Sequence, residues 1–484
     1  MRALHKTDPP MSTHPQQPDR LQQFLSSPRK ALWVMALPMI AGMTVHTIYI
    51  IADTAFIGTL GTDALAAATF VAPLFFVIVA VTNALGTAVT ALVAQAVGRQ
   101  EEGGSDAAVG TALSVGVSAG VVMGVVGLLV GRRLLALLGA EGNVVQLGWE
   151  YFAIISAFLP LFFVSAVLRS ILAGEGDART PMLVLAIATV MNIALDALFI
   201  LRMDMGIKGA ALATILAVAL STTIFSMLLL RRKVAFVRLR LAALMPTREP
   251  LLQLFGLAAP IAGSMLIMSA GSMLYNWMLS DFGSIAVAAY GAASKVDMIV
   301  VLPIFGLSGA AVTVVGMFAG AGRADLVRST ALYTYRWAIT LSVGVGAVAF
   351  VSSGPILQVF TDDPTAISMG ATYLGFMIFS YPMMAVGMTT GRLLQGVGHG
   401  YPALLLTTLR VLLLGVPGAL LAIHVFGQGI EGVWMGILGG GAGATILSVI
   451  LVRRLVWLDD PTRKAAAGGG ERAVRVARAK LWPR

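Results

Sequence analysis

Twelve stretches of the 484-residue chain are apolar for roughly twenty residues or more, each bounded by a short polar break. They run over about 32–57, 67–95, 108–130, 149–172, 182–201, 207–230, 254–279, 286–317, 333–353, 370–393, 403–425 and 431–452 (segments 1 to 12). A hydrocarbon core of about 30 Å is crossed by roughly twenty such residues in a helix. The stretches are continuously apolar and do not alternate, so the pattern predicts helices and not barrel strands. The expected fold class is all-α integral membrane, with twelve transmembrane helices.

Composition points the same way. The chain is 58% hydrophobic and 12% charged, too little charge to cover a soluble domain of this size. A net charge of +10 would suggest nucleic acid for a soluble protein, but most of the basic residues sit in or beside short loops, and no nucleic-acid partner is expected. Placing both termini in the cytoplasm puts 28 of the 33 Lys and Arg residues inside; only Arg132, Arg133, Arg202 and Lys208 fall outside, with Lys295 within segment 8. This bias predicts a multi-pass protein of the bacterial inner membrane with both termini cytoplasmic. The first 30 residues are polar and lack the apolar core of a signal peptide, so 1–30 reads as a disordered cytoplasmic arm. Residues 232–252 read as a basic linker between two halves (31–231 and 253–455), and 456–484 as a basic cytoplasmic tail. With no cysteine, disulfides and thiolate metal sites are excluded.

The halves repeat each other. Leu37-Pro38, Leu60-Gly61-Thr62 and Ala66-Ala67 return as Ala259-Pro260, Phe282-Gly283-Ser284 and Ala288-Ala289, at an offset of 222. Gly174-Glu175-Gly176-Asp177 with Pro181 returns as Gly396-Val397-Gly398-His399 with Pro402, and Gly206-Ile207-Lys208-Gly209 as Gly429-Ile430-Glu431-Gly432. An even number of helices per half gives both halves one topology, a parallel repeat of two six-helix bundles about an axis normal to the membrane. Transporters use such repeats for alternating access.

These residues also resemble a known family. Pro38 through Asp53-Thr54-Ala55-Phe56-Ile57-Gly58 is similar to the first helix of the multidrug and toxic compound extrusion (MATE) transporters. Gly174 to Met182 with Asn192-Ile193-Ala194-Leu195-Asp196, Gly206 to Ala211, and Ala319-Gly320-Ala321-Gly322-Arg323 resemble further signatures of that family. The resemblance covers residues 30 to about 455. It implies a V-shaped MATE/MOP-type fold and export of small organic compounds, often cationic or amphipathic, against inward protons or sodium. The carrier would be monomeric in membrane lipid. It would need no cofactor and would not be an enzyme. The second half lacks the acids that some members carry in helices 7 and 10, with Met268 and Met384 at those places, which looks closest to the DinF-type branch.

Ionisable groups at membrane depth are costly, so each is a site hypothesis. Asp53 lies a few residues before the outer end of segment 1, Asp196 likewise in segment 5, and Thr214 about two turns into segment 6. All three then fall about 5–11 Å below the outer surface. Asn192 shares a helix face with Asp196. Asp53, Asn192, Asp196 and Thr214 can form an oxygen-rich site for sodium, or the two carboxylates can share one proton. They also match the positions that form the family's first-half ion site. Their repeat equivalents are Tyr275, Leu413 or Leu414, Pro417 or Gly418, and Ile437, so a coupling site is expected in the first half alone.

Candidate substrate-cavity residues are Tyr49, one turn before Asp53, with His46, Tyr275, Tyr290, Lys295 and Asp297. Lys295 and Asp297 face different sides of one helix, where they either steer charged substrate or pair with polar groups between helices. Pro38 interrupts the backbone ladder of segment 1 and is a candidate bending point, although Pro260 at the equivalent place suits a scaffold role equally. A flippase for lipid-linked precursors is the main rival and would favour a basic cavity; Lys295, Arg169, Arg392 and Arg410 are its only candidates. A membrane enzyme would need an acidic cluster at the membrane face, and a passive scaffold would not need paired buried acids.

Overall fold

The computed structural model describes residues 20–100, 104–231 and 247–454. The linker residues 232–246 and the tail from 455 onward lie outside the described residues, as do residues 1–19 of the N-terminal arm.

Among the described residues the chain is helical throughout, without strands. A short helix α1 (Arg20–Ser26) precedes α2 (Pro28–Gly58), α3 (Thr62–Arg99), α4 (Gly104–Leu137), α5 (Gly142–Ala157), α6 (Leu159–Gly174) and α7 (Arg179–Asp196). α7 continues as a π-helical turn, Ala197–Arg202, before α8 (Gly206–Arg231). The second half comprises α9 (Arg248–Ser280), α10 (Ser284–Gly320), α11 (Ala324–Val351), a short α12 (Ser353–Gln358) and α13 (Pro364–Gly396). α14 (Tyr401–Thr408), a π-helical stretch Leu409–Gly415 and α15 (Val416–His424) make one span, followed by α16 (Glu431–Val452). Among the described residues eleven helices are long and apolar enough to cross a membrane, and the bent pair α5–α6, taken as one span, makes twelve. The twelve spans match the twelve apolar stretches in order.

Two local features differ from the sequence reading. Segment 4 is not straight: α5 and α6 meet at 54° around Phe158. Pro160 lacks an N–H and its ring crowds the carbonyl four residues back, which favours the break there, although Pro38 is carried inside an unbroken α2. Residues 20–26, placed in the disordered arm, form α1. Its Leu21 and Phe24 are buried in the core, and Arg20 pairs with the buried Asp177 at 3.3 Å. An amphipathic turn with two large apolar anchors orders a segment that its polar neighbours suggest is free.

The repeat is visible in the backbone. Gly61 and Gly283 take φ of +106° and +94° at the starts of α3 and α10, and Gly176 and Gly398 take +82° and +95° in the turns before α7 and α14. In the first of these turns Asp177 accepts from the Thr180 N–H (3.1 Å) and hydroxyl (2.9 Å), fixing the start of α7. The Gly-Glu-Gly-Asp motif is thus a helix-start device.

Three apolar clusters define the shape. One joins both halves and draws on the ends of helices nearest the termini: Leu32 and Met35 of α2, Val93 of α3, Leu307 and Phe318 of α10, and Leu393 of α13. The other two stay within one half and lie at the opposite end. One contains Ile57, Ala67, Tyr151 and Ile207; the other Tyr275, Val296, Tyr373 and Trp434. The bundles are sealed together at the terminal side and packed separately at the far side, where the V opens. Hydrogen bonds between the halves fit this: Trp33 Nε1 donates to Tyr333 Oη (3.1 Å), Gln95 Nε2 to the Gly396 carbonyl (2.8 Å) and Thr313 Oγ1 to the Ala173 carbonyl (3.1 Å).

Candidate functional site

The far half of the first bundle gathers α2, α5, α7 and α8 around a small polar cluster. Asn192, Asp196 and Thr214 are all buried, at 0%, 0% and 3% exposure. Helical spacing stacks Asn192 above Asp196, and Asp196 ends the regular part of α7 where the π-helical turn begins. Such turns re-aim side chains and often mark functional positions. With its amide oriented by its neighbours, Asn192 donates to Asp196 Oδ2 (3.0 Å) and accepts from the Thr214 backbone N–H (3.3 Å). The Thr214 hydroxyl bonds the Tyr49 hydroxyl at 3.1 Å. Asp53, one turn beyond Tyr49 on α2, lies in electrostatic range of both Tyr49 and Asp196.

The predicted set Asp53, Asn192, Asp196 and Thr214 therefore lies together, with Tyr49 as its link towards the interior. Among the described residues, Asp53 Oδ1 and Asp196 Oδ1 are buried without a hydrogen-bond partner. Two carboxylates with open valences, an amide oxygen and a hydroxyl can bind a proton or a small cation and little else. Sequence reasoning missed Tyr151, buried in the same cluster beside Asp53, Asp196 and Thr214. Nothing in a Glu150-Tyr151-Phe152 run separates a site tyrosine from an interfacial one.

Two connected cavities lead from the cluster. A first-half chamber of about 230 Å³ has Tyr49 and Thr214 at the cluster end and Phe75, Phe162 and Phe225 along its walls. It shares His46, Asn83, Arg169, Pro181 and Leu185 with a central cavity of about 400 Å³ between the halves, lined also by Pro38, Phe305 and Arg392. His46 stacks on Tyr49 with centroids 5.8 Å apart. Pro38 sits buried inside α2, which runs unbroken from Pro28 to Gly58. Arg169 and Arg392, counted above with the loops, line these cavities, and Arg410 lines another in the second half. Linear distance from a loop does not tell a side chain that reaches the membrane surface from one that turns into a cavity.

The second-half chamber, about 140 Å³, brings together Tyr275 and Tyr290 with Tyr373, Met268, Met384 and Arg410. Lys295 is exposed and Asp297 lies behind the chamber wall, so neither lines it. Asp297 instead accepts hydrogen bonds from the Tyr373 and Tyr381 hydroxyls, the latter at 2.7 Å, which is the structural pairing between helices. Tyr373 packs edge-on against Tyr290 and Trp434, closing an aromatic wall. Tyr381→Phe removes one donor from a carboxylate in a tightly packed core and should cost about 1 kcal/mol. Thermal unfolding in detergent should show a midpoint lowered by about one degree with transport retained; an unchanged midpoint would mean that the bond contributes nothing.

Comparison with known proteins follows the same outline. The profile of the MatE family matches residues 38–198 and again residues 260–421, one match in each repeat. A protein of Thermotoga maritima named "Probable multidrug resistance protein NorM" is 25% identical over 452 residues, covering 93% of this chain and 96% of that one. Among solved structures, "Crystal structure of MATE in the bent conformation" superposes with a TM-score of 0.87 at 28% identity, over 93% of this chain and 99% of the other. The structure titled "Outward-facing conformation of a multidrug resistance MATE family transporter of the MOP superfamily" gives 0.85 at 28% identity, over 90% and 97%.

Proposed function

The chain belongs to the MatE family of membrane transporters, and from that premise we propose that it is a secondary antiporter exporting amphipathic organic compounds in exchange for protons or sodium. The observation that carries this reading is the pair of buried, partnerless carboxylate oxygens on Asp53 and Asp196, at one end of a chamber that communicates with the central cavity. A carrier needs an ion site that affects the substrate path without blocking it, and the Tyr49–Thr214 bond is the contact between the two.

In this reading the protein is a monomeric, multi-pass carrier of the bacterial inner membrane and not an enzyme. Both termini are cytoplasmic, so the far-side opening faces outward. Residues 31–231 and 253–455 are the two moving bodies and 232–252 joins them. Met268 and Met384 in place of second-half acids support the DinF-type branch. An incoming proton or sodium ion at Asp53 and Asp196 rearranges their contacts with Asn192 and Thr214. Tyr49 then shifts, α2 moves about Pro38, and the first-half chamber narrows against its substrate. The resealed far side and opened terminal side complete alternating access.

The test is dye efflux from proteoliposomes under an imposed pH gradient or an imposed sodium gradient, using ethidium and fluorescein to cover both charge classes. Efflux of either dye driven by one gradient and not the other is expected, and that gradient names the ion. If inserted, folded protein moves neither dye under either gradient, the antiport reading fails.

A further inference from the structure

The central cavity has a charge that the acid cluster does not balance. Its lining contains Arg169 from α6 and Arg392 from α13 and no acidic residue; Asp53 and Asp196 line neither the central cavity nor the first-half chamber. Among the described residues neither arginine pairs with a carboxylate. A guanidinium stays charged and carries five N–H donors in a planar fork. Two such groups at membrane depth, facing one cavity without a counter-charge, are costly and therefore point to a ligand that supplies it.

Arg392 is held ready for such a ligand. Its guanidinium lies over the Phe305 ring at 4.8 Å, and Nη1 donates to Thr87 Oγ1 of the opposite half at 3.1 Å and to Gln395 Oε1 at 3.4 Å. Stacking and the two Nη1 bonds fix the plane of the fork and leave Nε and Nη2 available, an arrangement suited to a planar or tetrahedral oxyanion. Arg169 stands where the central cavity meets the first-half chamber, beside His46. Beyond it the chamber turns apolar, walled by Phe75, Phe162 and Phe225.

We propose that the connected cavities take an amphipathic anion, with a phosphate, sulfonate or carboxylate head between Arg169 and Arg392 and its apolar body among the phenylalanines of the first-half chamber. This rests on the reading of these cavities as the substrate path and replaces the cationic preference that the family resemblance implies with the opposite charge.

Fluorescein and rhodamine 123 share a xanthene core but carry opposite charge, so they isolate the charge effect. Fluorescence anisotropy with the purified full chain in dodecyl maltoside should show fluorescein binding at least about tenfold more tightly, the effect of a charge-assisted contact. Arg169→Gln and Arg392→Gln should each weaken fluorescein by about tenfold and leave rhodamine 123 unchanged or tighter, while Arg392→Lys should fall between. Rhodamine 123 binding as tightly as fluorescein to the wild type overturns the proposal, as do arginine variants that bind fluorescein normally. The wild-type dye comparison decides even if a variant fails to fold. Competition in dodecyl maltoside separates the sources of the anion: displacement of fluorescein by added dihexanoyl phosphatidylglycerol assigns the site to a lipid phosphate, and undiminished fluorescein binding in its presence to a soluble amphipathic anion. Binding needs no gradient, so a failure of the antiport reading leaves this result intact, and gradient-driven export of ethidium alone would leave antiport standing without it.

Discussion

Asp53→Asn is expected to reduce gradient-driven efflux to the level of empty liposomes while the protein inserts and unfolds like wild type. The substitution preserves shape and polarity, so packing at the end of α2 should be unchanged. It removes the capacity to take up and release a proton and the negative charge that would balance sodium. Because Asp53 Oδ1 is buried without a protein partner, no structural hydrogen bond at that atom is lost with the charge. Asp196→Asn should give the same phenotype, with some loss of stability because Asn192 bonds its other oxygen. Tyr49→Phe breaks only the bond to Thr214 and should slow efflux by roughly fivefold, about 1 kcal/mol. Passive substrate exchange without a gradient should survive in Asp53→Asn, which separates coupling from binding. Full gradient-driven efflux by Asp53→Asn would remove this residue from the coupling step.

The fold was readable because the bilayer imposes it. Hydropathy over about twenty residues registers a span whatever its neighbours are, and an offset of 222 between motifs such as Leu60-Gly61-Thr62 and Phe282-Gly283-Ser284 exposes the duplication. The same averaging hides the break at Phe158, since an apolar run is equally apolar when bent. It also gives no rotational information, because lipid is as apolar as a neighbouring helix. For that reason Tyr373 and Tyr381, eight residues apart on α13, gave no sign of converging on Asp297 of α10. Depth put Asp53 and Asp196 at one level, because charge within a span has few tolerable places, and the family resemblance implied that they share a site. The arginines defeated the same reasoning. Arg169 and Arg392 sit within two turns of a terminal-side loop, so the sequence allowed both a place beside the loops and a place in a basic cavity, and the structure puts them in the cavity.

The seal at the terminal side should be the most sensitive mechanical point of the molecule. Gly98 of α3 and Gly320 of α10 face each other across the halves at a backbone-to-backbone crossing. A Cβ on Gly98 would overlap the Met317 carbonyl oxygen and lie 2.9 Å from the Ala321 nitrogen; one on Gly320 would overlap the Gln95 carbonyl oxygen and lie 2.9 Å from its carbon. Backbone cannot rotate away as a side chain can, so even a methyl group must force the two helices apart. Alanine is otherwise the better helix former by about 0.5–1 kcal/mol, so any harm must come from the crossing. Gly98→Ala and Gly320→Ala are therefore expected to shift the population towards a state open on the terminal side and to cut efflux strongly. The chain has no cysteine, so a single Met317→Cys, at a buried side chain of α10 that reaches Gly176 of the first half, can report the opening through maleimide labelling. Labelling should rise by about tenfold or more, the signature of a shift near 1.4 kcal/mol between the two states. Gly344→Ala on α11, where a Cβ meets nothing within 4 Å, is the matched control and should leave both labelling and efflux unchanged. Normal labelling and normal efflux in Gly98→Ala would show that the crossing yields to a methyl group and that the seal is held by the Gln95 and Thr313 hydrogen bonds instead.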